Sequence, residues 1–213
     1  MYQKNWNIWK ETLVNALTEP LPGLEAHKRM LPSNRAESTL EIDENAKQSA
    51  VMIILFPNEL NNLSVVLIER TQDGGKHSGQ IAFPGGKMEL SDRTLLDAAL
   101  RETEEEVFLQ KFSLEILGKL SPLYIKVSNF LVQPFIAYCA HLPQLKKSDK
   151  EVHQIYLSNL SLLLQSKAVV PIPALATIWQ APVYKLPNDA NVWGATAMIL
   201  SELEMVLERS KLI

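Results

Sequence analysis

The residue types best suited to chemistry in this chain are six carboxylates crowded into the stretch 92–106. They are Asp92, Asp97, Glu102, Glu104, Glu105 and Glu106. Like charges four residues apart destabilise an isolated helix, and acids near a helix C-terminus oppose its dipole. Solvent, salt and the adjacent Arg101 can offset that cost, and so can a divalent cation, which prefers hard carboxylate oxygens. Spacing alone therefore leaves both a solvated helix face and a metal site open.

A helix over residues 93–107 is expected to carry these acids. Side chains three and four residues apart predict its packing stripe, which consists of Leu96, Leu100, Thr103 and Val107. A different face would present the acids of the last turns, Glu102, Glu105 and Glu106. The other two acids of the helix, Asp97 and Glu104, are expected to be solvated.

A turn-forming tetrapeptide, Phe83-Pro84-Gly85-Gly86, precedes the helix. The proline biases the residue before it toward an extended conformation. The two glycines let the backbone approach a ligand closely and can turn a carbonyl inward. A bare carbonyl and a set of carboxylates could therefore converge, which favours a metal site over a solvated helix face.

The surrounding elements predict an α/β protein. The runs "AVMIILF" and "LSVVLIER" flank a turn at 57–62 and are typical of a β-hairpin. Further strands are predicted at "QIAF", 115–120, 130–139, 151–157, "APVYKL" and "NVWG", and further helices at 4–18, 158–166 and from Gly194 onward. This irregular alternation predicts a mixed β-sheet sandwiched between helices.

The chain is expected to divide into an N-terminal extension, residues 1–48, and a main domain, residues 49–213. Trp6 and Trp9 share a face of the helix predicted at 4–18, so this helix should dock on the main domain, with partner binding as the alternative. Residues 23–48 look irregular and polar.

Composition excludes several functional classes. A net charge of −3 provides no electrostatic case for binding nucleic acid or an anionic membrane. A single cysteine, Cys139, rules out an internal disulfide and fits a reducing compartment. The N-terminus lacks an apolar signal region, and the longest apolar run, Val51–Phe56, is too short to span a bilayer. The expectation is a cytoplasmic protein without membrane or nucleic-acid partners.

The stretch from Gly86 to Leu109 resembles the Nudix box, commonly written G-x5-E-x7-R-E-U-x-E-E-x-G-U, where U is aliphatic. Gly86 and Leu109 occupy the two ends of the pattern, and Thr103 takes the first U position. The matching polar positions are Asp92 in place of the first Glu, the Arg101-Glu102 pair and the Glu105-Glu106 pair.

Two departures from the box concern the geometry of the helix. Eight residues instead of seven separate Asp92 from Arg101. An extra residue inside the helix would rotate everything after it by about 100°, so we expect it to be absorbed before the ligands. Phe108 stands where a Gly would end the helix in the left-handed conformation, which predicts a differently shaped exit.

A narrower resemblance surrounds the box. The segment "LIERTQDGGKHSGQIAFPGG" is similar to that of the coenzyme A pyrophosphatase branch of the Nudix hydrolases, especially at Arg70 and in the run from His77 to Gln80. The stretches "LPGLEAHKRMLP", Glu151-Val152 and "VWGATAMIL" are also similar to that branch. This resemblance implies metal-dependent hydrolysis of the diphosphate bond of coenzyme A or its derivatives.

The resemblance also implies residue roles. Mg²⁺ or Mn²⁺ would be held by Glu102, Glu105, Glu106 and the carbonyl of Gly85. Arg101 would orient a box glutamate, and the base would be Glu102 or a distant acid, for which Glu151 is the candidate. Substrate contacts would come from Arg70, His77 and Gln80. A surface role for Glu151 and a backbone-bonded loop role for His77 stay open.

Two alternatives to a coenzyme A diphosphatase also stay open. The same chemistry could act on ADP-ribose, a dinucleotide or a nucleoside triphosphate. A non-catalytic Nudix domain could instead bind a nucleotide as a sensor, although such domains usually lack box acids. In each case the partner is a small nucleotide. Family members often dimerise, so a homodimer is also open.

Overall fold

The computed structural model describes residues 5–32, 42–72, 74, 77–174 and 177–213, without the side chains of residues 173, 174 and 177. Its helices are α1 Trp6–Thr18, α2 Leu24–Lys28, α3 Leu95–Val107, α4 Leu160–Gln165 and α5 Gly194–Arg209. Its strands are β1 Lys47–Pro57, β2 Leu63–Arg70, β3 Ile81–Ala82, β4 Gly85–Lys87, β5 Glu115–Lys119, β6 Leu123–Ile125, β7 Phe130–Tyr138, β8 Val152–Asn159, β9 Lys167–Ala174, β10 Thr177–Lys185 and β11 Asn191–Val192. No helix within these ranges is long and apolar enough to cross a membrane.

The larger sheet is mixed. Its strands run in the order β3-β2-β1-β7-β5, while β4 pairs with β1, β6 with β7 and β8 with β2. The β1–β7 pairing is parallel, whereas β1 and β2 form the antiparallel hairpin expected around residues 57–62. A smaller antiparallel sheet has the order β11-β10-β9. The predicted α/β architecture with a mixed sheet and flanking helices is confirmed.

Alternating side chains of β1 build two apolar layers, because successive residues of a strand point to opposite faces. Met52 and Ile54 belong to the layer that contains the buried alanines of α3. Ile53 and Leu55 belong to the opposite layer, which α1 and α5 cover. The sheet therefore holds α3 rigidly on one side, and α3 is the helix that carries the acids.

The N-terminal helix docks on the sheet as expected. Trp9 and Leu13 of α1 are buried in the same layer as α5, and the Trp6 ring meets the Trp9 ring edge-on at 5.9 Å. The short helix α2 was not predicted, because its five residues are too few for a periodic pattern. Residues 1–4 and 33–41 of the extension lie outside the described residues. The division of the chain at residue 48 stays a prediction.

A buried polar network joins the extension to the core. The Glu202 carboxylate on α5 accepts hydrogen bonds from the backbone N–H of Gly23 at 2.9 Å and of Ser121 at 3.2 Å. It also lies 3.1 Å from Nε2 of His27. Burial alone would raise the pKa of Glu202, but these hydrogen bonds outweigh it and lower the pKa. The network therefore holds a charge inside the protein.

Strand β9 was missed because its sequence, "KAVVPIPA", contains two prolines. Proline cannot donate to a strand ladder, so it argues against a central strand. In the structure β9 pairs only with β10 among the described strands, which makes it the edge of its sheet. The edge position explains how the prolines are tolerated.

Candidate active site

Helix α3 begins with a capping box that the sequence interpretation did not identify. The Thr94 hydroxyl accepts the backbone N–H of Asp97 at 3.1 Å, and the Asp97 carboxylate accepts the backbone N–H of Thr94 at 2.9 Å. Asp97 is exposed, as expected, but it also has a structural role, since it satisfies an otherwise unpaired amide at the helix start. The helix is regular from Leu95 onward, so the extra residue of the box is absorbed in the preceding loop.

The buried face of α3 differs from the predicted stripe. Thr103 and Val107 are buried as expected, but Leu96 and Leu100 are only partly buried. The centre of the face is instead formed by Ala98, Ala99 and Glu106. Small alanines let the helix approach the sheet closely, and that approach carries the Glu106 carboxylate into the interior.

The helix ends on Phe108 with φ 56° and ψ 28°, the left-handed conformation that a Gly would adopt. The expectation of a differently shaped exit was therefore wrong. The Phe108 N–H donates to the carbonyl of Glu104, as a C-terminal cap requires. The phenyl ring is half exposed, and the Lys146 ammonium lies 5.5 Å from its centroid. The helix thus ends in the usual left-handed conformation, although this conformation is unfavourable for a phenylalanine.

Three of the predicted acids converge. One carboxylate oxygen from each of Glu102, Glu106 and Glu151 lies within 4.8 Å of the other two. Glu151 comes from the turn before β8, far from the box in sequence. Glu105, the fourth candidate acid, is not in this cluster; its exposed side chain turns toward Arg101 at 3.1 Å. The fold therefore brings the distant acid together with two box glutamates.

Glu106 is the most enclosed acid of the cluster, with 1% of its surface exposed. Its carboxylate accepts the backbone N–H of Gly85 at 2.8 Å and an N–H of the Arg70 guanidinium at 3.3 Å. Burial nevertheless raises the pKa of Glu106 to about 7. The carbonyl of Gly85, the predicted backbone ligand, stays a prediction.

Arg101 holds the acids of the box in place. Its guanidinium makes two hydrogen bonds to Asp92, at 3.0 and 2.9 Å, and one each to Glu102, Glu105 and the carbonyl of Lys87. The bond from Arg101 lowers the pKa of Asp92, whereas burial raises the pKa of Glu102. Asp92 therefore fixes the Arg101 guanidinium, a role in addition to its position near the helix start.

The two glycines before the helix leave room for these groups. A Cβ atom on Gly86 would collide with the Glu102 carboxylate, and one on Gly85 would collide with the backbone of β1 at Ala50. Gly85 also has φ 150°, a region that other residues rarely adopt. The glycines therefore allow the close approach that was expected: Gly85 lies against β1, and Gly86 lies against the carboxylate of Glu102, a candidate metal ligand.

Of the predicted substrate-binding residues, Arg70 ends β2, whereas His77 and Gln80 lie between β2 and β3. Arg70 is next to an irregularity in the β2–β8 pairing, where Glu69 faces Gln154 and Arg70 faces Val152. Its backbone N–H donates to the carbonyl of Gln80 at 3.1 Å, which brings the two ends of the intervening loop together. In that loop Nδ1 of His77 lies 3.0 Å from the side-chain oxygen of Gln80. The roles of Arg70, His77 and Gln80 toward a substrate stay predictions.

The donor set fits a hard divalent cation. Three carboxylates share a partly buried site, and mutual repulsion raises the pKa of Glu106 further. A cation between them would relieve that repulsion, and Mg²⁺ and Mn²⁺ favour such oxygen ligands. The arrangement can therefore hold a metal against a phosphate-containing substrate.

Comparisons with known proteins agree with this fold. The family model described as the NUDIX domain matches residues 46–169. The uncharacterized Nudix hydrolase NudL of Pectobacterium atrosepticum is 31% identical over 160 residues, which cover 75% of this chain and 82% of that protein. The NudL protein of Salmonella paratyphi B is 32% identical over 171 residues, covering 76% and 83%.

Solved structures show the same fold at low sequence identity. The Nudix hydrolase RenU of M. smegmatis has a TM-score of 0.54 and 12% identity, covering 82% of this chain and 95% of that one. A MutT protein from Methanosarcina mazei has a TM-score of 0.52 and 15% identity, covering 79% and 99%. The mixed sheet with flanking helices is therefore the Nudix fold.

The chain belongs to the Nudix family, and it is an enzyme that hydrolyses phosphoric anhydride bonds. Its substrates are nucleotide derivatives. Nudix hydrolases generally use divalent metal ions such as Mg²⁺ or Mn²⁺.

Proposed function

We propose that this Nudix hydrolase is a coenzyme A diphosphatase. It would hydrolyse the diphosphate bond of coenzyme A or its derivatives to 3′-phosphoadenosine 5′-phosphate and 4′-phosphopantetheine. Water adds across the anhydride in this reaction: its oxygen joins one phosphorus, and the bridging oxygen leaves with the other phosphate.

One contact carries the proposal. Arg70 belongs to the segment that resembles the coenzyme A pyrophosphatase branch, and its guanidinium lies 3.3 Å from the Glu106 carboxylate. Arg70 therefore borders the acid cluster, where it could reach a substrate held there. The guanidinium is only partly buried, so it could exchange Glu106 for a phosphate once a cation neutralises that acid.

The cluster of Glu102, Glu106 and Glu151 would hold Mg²⁺ or Mn²⁺, with Glu105 and the Gly85 carbonyl as further candidate ligands. A bound cation would supply neutralisation of the diphosphate charge and activation of water. Arg101 keeps Glu102 oriented through the direct bond of 2.9 Å between them.

The base that takes the proton from water is proposed to be Glu151. Glu102 is the alternative, but its carboxylate already accepts a hydrogen bond from Arg101 at 2.9 Å, which leaves less of it free to meet a water molecule. Glu151 faces only Lys150 among the described ion pairs, at 3.8 Å, and its side chain is 39% exposed. A partly open carboxylate can both meet a water molecule and release the proton.

A substrate panel with product identification tests the proposal. Purified protein would be incubated with Mg²⁺ or Mn²⁺ and with coenzyme A, ADP-ribose, a dinucleotide or a nucleoside triphosphate, and the products would be identified by mass spectrometry. Coenzyme A should be cut to the two products named above. If coenzyme A stays intact while ADP-ribose is cut, the chain is a Nudix diphosphatase of the alternative specificity.

A matched pair of variants on α3 controls for the site. Glu106→Gln should remove most of the turnover, because the substitution removes a buried carboxylate from the cluster. Glu104→Gln makes the same chemical change two residues earlier, outside the cluster, and should retain turnover. Full activity in Glu106→Gln would exclude the proposed role of this acid.

A further inference from the structure

The last carbonyls of α3 are capped by the loop that carries Glu151. A helix leaves its final C=O groups without intrahelical partners. The backbone N–H of Ser148 donates to the carbonyl of Glu106 at 2.9 Å, and the N–H of Lys146 donates to the carbonyl of Val107 at 3.1 Å. Residues 146–151, which we name the return loop, are therefore bonded to the helix end through main-chain groups.

The return loop is pinned at its other end to β2. The backbone N–H of Thr71 donates to the carbonyl of Glu151 at 3.1 Å, and the Thr71 hydroxyl donates to the carbonyl of Lys150 at 3.3 Å. Thr71 directly follows Arg70, which bonds the Glu106 carboxylate. The loop therefore bridges the two segments that surround Glu106.

Within the loop, a tight turn connects the capping amide to the acid. The carbonyl of Ser148 accepts the N–H groups of Glu151 at 3.1 Å and of Val152 at 2.8 Å. Ser148 thus caps Glu106 with its N–H and holds Glu151 with its C=O. A single residue links the backbone of one cluster acid to the backbone of another.

This link acts against a repulsion. The carboxylates of Glu102, Glu106 and Glu151 lie within 4.8 Å of one another, so like charge tends to push the loop away from the helix. A cation can bridge all three acids only while the loop stays in place. Holding Glu151 in position beforehand lowers the cost of binding the cation, as for any preorganised site.

We propose that Ser148 is a positioning residue: by capping α3 it sets where Glu151 meets Glu102 and Glu106, and thereby sets the affinity of the site for a divalent cation. This proposal rests on the proposed metal-dependent function. Ser148 lies outside the box and acts through main-chain groups, so the box motif would not reveal this role.

Three variants of the loop separate the cap from other effects of mutation. Ser148→Pro removes the donating N–H but keeps every carboxylate. Ser148→Ala keeps the N–H and removes only the hydroxyl. Asp149→Pro places a proline one position later, where the N–H takes no part in the capping. Mn²⁺ dissociation constants would be measured on metal-free protein by electron paramagnetic resonance, with circular dichroism as a check of folding.

Ser148→Pro should bind Mn²⁺ at least tenfold more weakly, while Ser148→Ala and Asp149→Pro should stay within twofold of the unmodified protein. In a Glu151→Gln background, Ser148→Pro should produce little further loss, because its effect passes through Glu151. Unchanged Mn²⁺ affinity in folded Ser148→Pro, or a full additional loss in that background, would overturn the proposal.

A glycine insertion covers the case in which Ser148→Pro does not fold. Inserting one glycine between Asp149 and Lys150 keeps both capping amides and all acids but displaces Glu151 from the cap. The insertion should also weaken Mn²⁺ binding at least tenfold, and an unchanged affinity would contradict the proposal. Because Mn²⁺ binding is measured without a nucleotide, this result is independent of whether coenzyme A is the substrate.

Discussion

Replacing Phe108 offers a quantitative test of how α3 ends. The residue adopts φ 56°, a left-handed conformation that costs a residue with a Cβ roughly 1–2 kcal/mol. Comparing Phe108 directly with glycine would mix this strain with the loss of the ring. The ring is half buried and has Lys146 above it, so its removal has a cost of its own.

The informative comparison is between Phe108→Gly and Phe108→Ala. Both variants lose the ring and its contact with Lys146, but only alanine keeps the Cβ that makes the left-handed conformation costly. Glycine gains flexibility in the unfolded chain, which offsets about 0.4–1 kcal/mol of the relief. Phe108→Gly should therefore be more stable than Phe108→Ala by about 0.5–1 kcal/mol, the reverse of the order inside a helix.

Thermal and urea unfolding of the two variants, measured in the absence of metal, would check this order. For a protein of 213 residues, 1 kcal/mol corresponds to about 2–4 °C in Tm, so the glycine variant should melt about 1–4 °C higher. A Tm of Phe108→Ala equal to or above that of Phe108→Gly would refute the left-handed cap.

The same two variants report on function. The spacing of the box glutamates and both return-loop amides are retained in each variant, so turnover should stay within about threefold of the unmodified protein. A collapse of turnover in a folded Phe108→Gly variant would show that the ring belongs to the site.

Three further predictions concern buried or bonded charges. In metal-free protein, Glu106 with a pKa of about 7 keeps a proton that the unfolded chain loses near pH 4.5, so this group favours the folded state less as the pH rises through that window. Urea unfolding at a series of pH values should show this. Between pH 4.5 and 7 the free energy of unfolding of the unmodified protein should fall by up to about 3 kcal/mol more than that of Glu106→Gln, and parallel pH profiles would contradict this. Glu202 has a lowered pKa, so its stabilisation is present above pH 4.5 and is lost as the pH falls through its folded pKa. Glu202→Gln should lower Tm by about 6–12 °C, because it breaks a buried pair with His27 worth about 3 kcal/mol, and an unchanged Tm would argue against this network. Arg101→Lys should lower kcat at least tenfold with little change in Tm, since an ammonium cannot reproduce the two bonds to Asp92 while also holding the glutamates; retained kcat would exclude the orienting role.

Local sequence signals predicted much of this protein because they depend only on neighbouring residues. The periodicity of β1 and β2, the turn between them and the helical spacing of α1 and α3 all follow from the pattern of apolar side chains. The resemblance to the box also implied that Arg101 pairs with a box glutamate, and in the structure its guanidinium bonds the carboxylates of Glu102 at 2.9 Å and Glu105 at 3.1 Å. The missed elements carried weak or contradictory local signals: α2, β4 and β6 are very short, and β9 contains prolines.

Contacts between distant segments could be suggested from the sequence but were decided only by the tertiary structure. From the sequence, a surface position for Glu151 was as acceptable as a position in the site. The sequence also predicted that Glu105, and not Glu151, would join Glu102 and Glu106 as a metal ligand. Folding of β8 beside β2 and capping of α3 by the return loop bring Glu151 into the cluster, because these backbone groups need partners that lie far away in sequence.

The conformation of Phe108 also could not be predicted from the sequence alone. Residue type alone predicted an altered helix exit, because a phenylalanine disfavours the left-handed region. The structure nevertheless has that left-handed end. Phe108 donates to the Glu104 carbonyl, and the return loop donates to the carbonyls of Glu106 and Val107. The sequence by itself determined which side chains could bind a metal, and only the packing of the whole chain determined which of them meet.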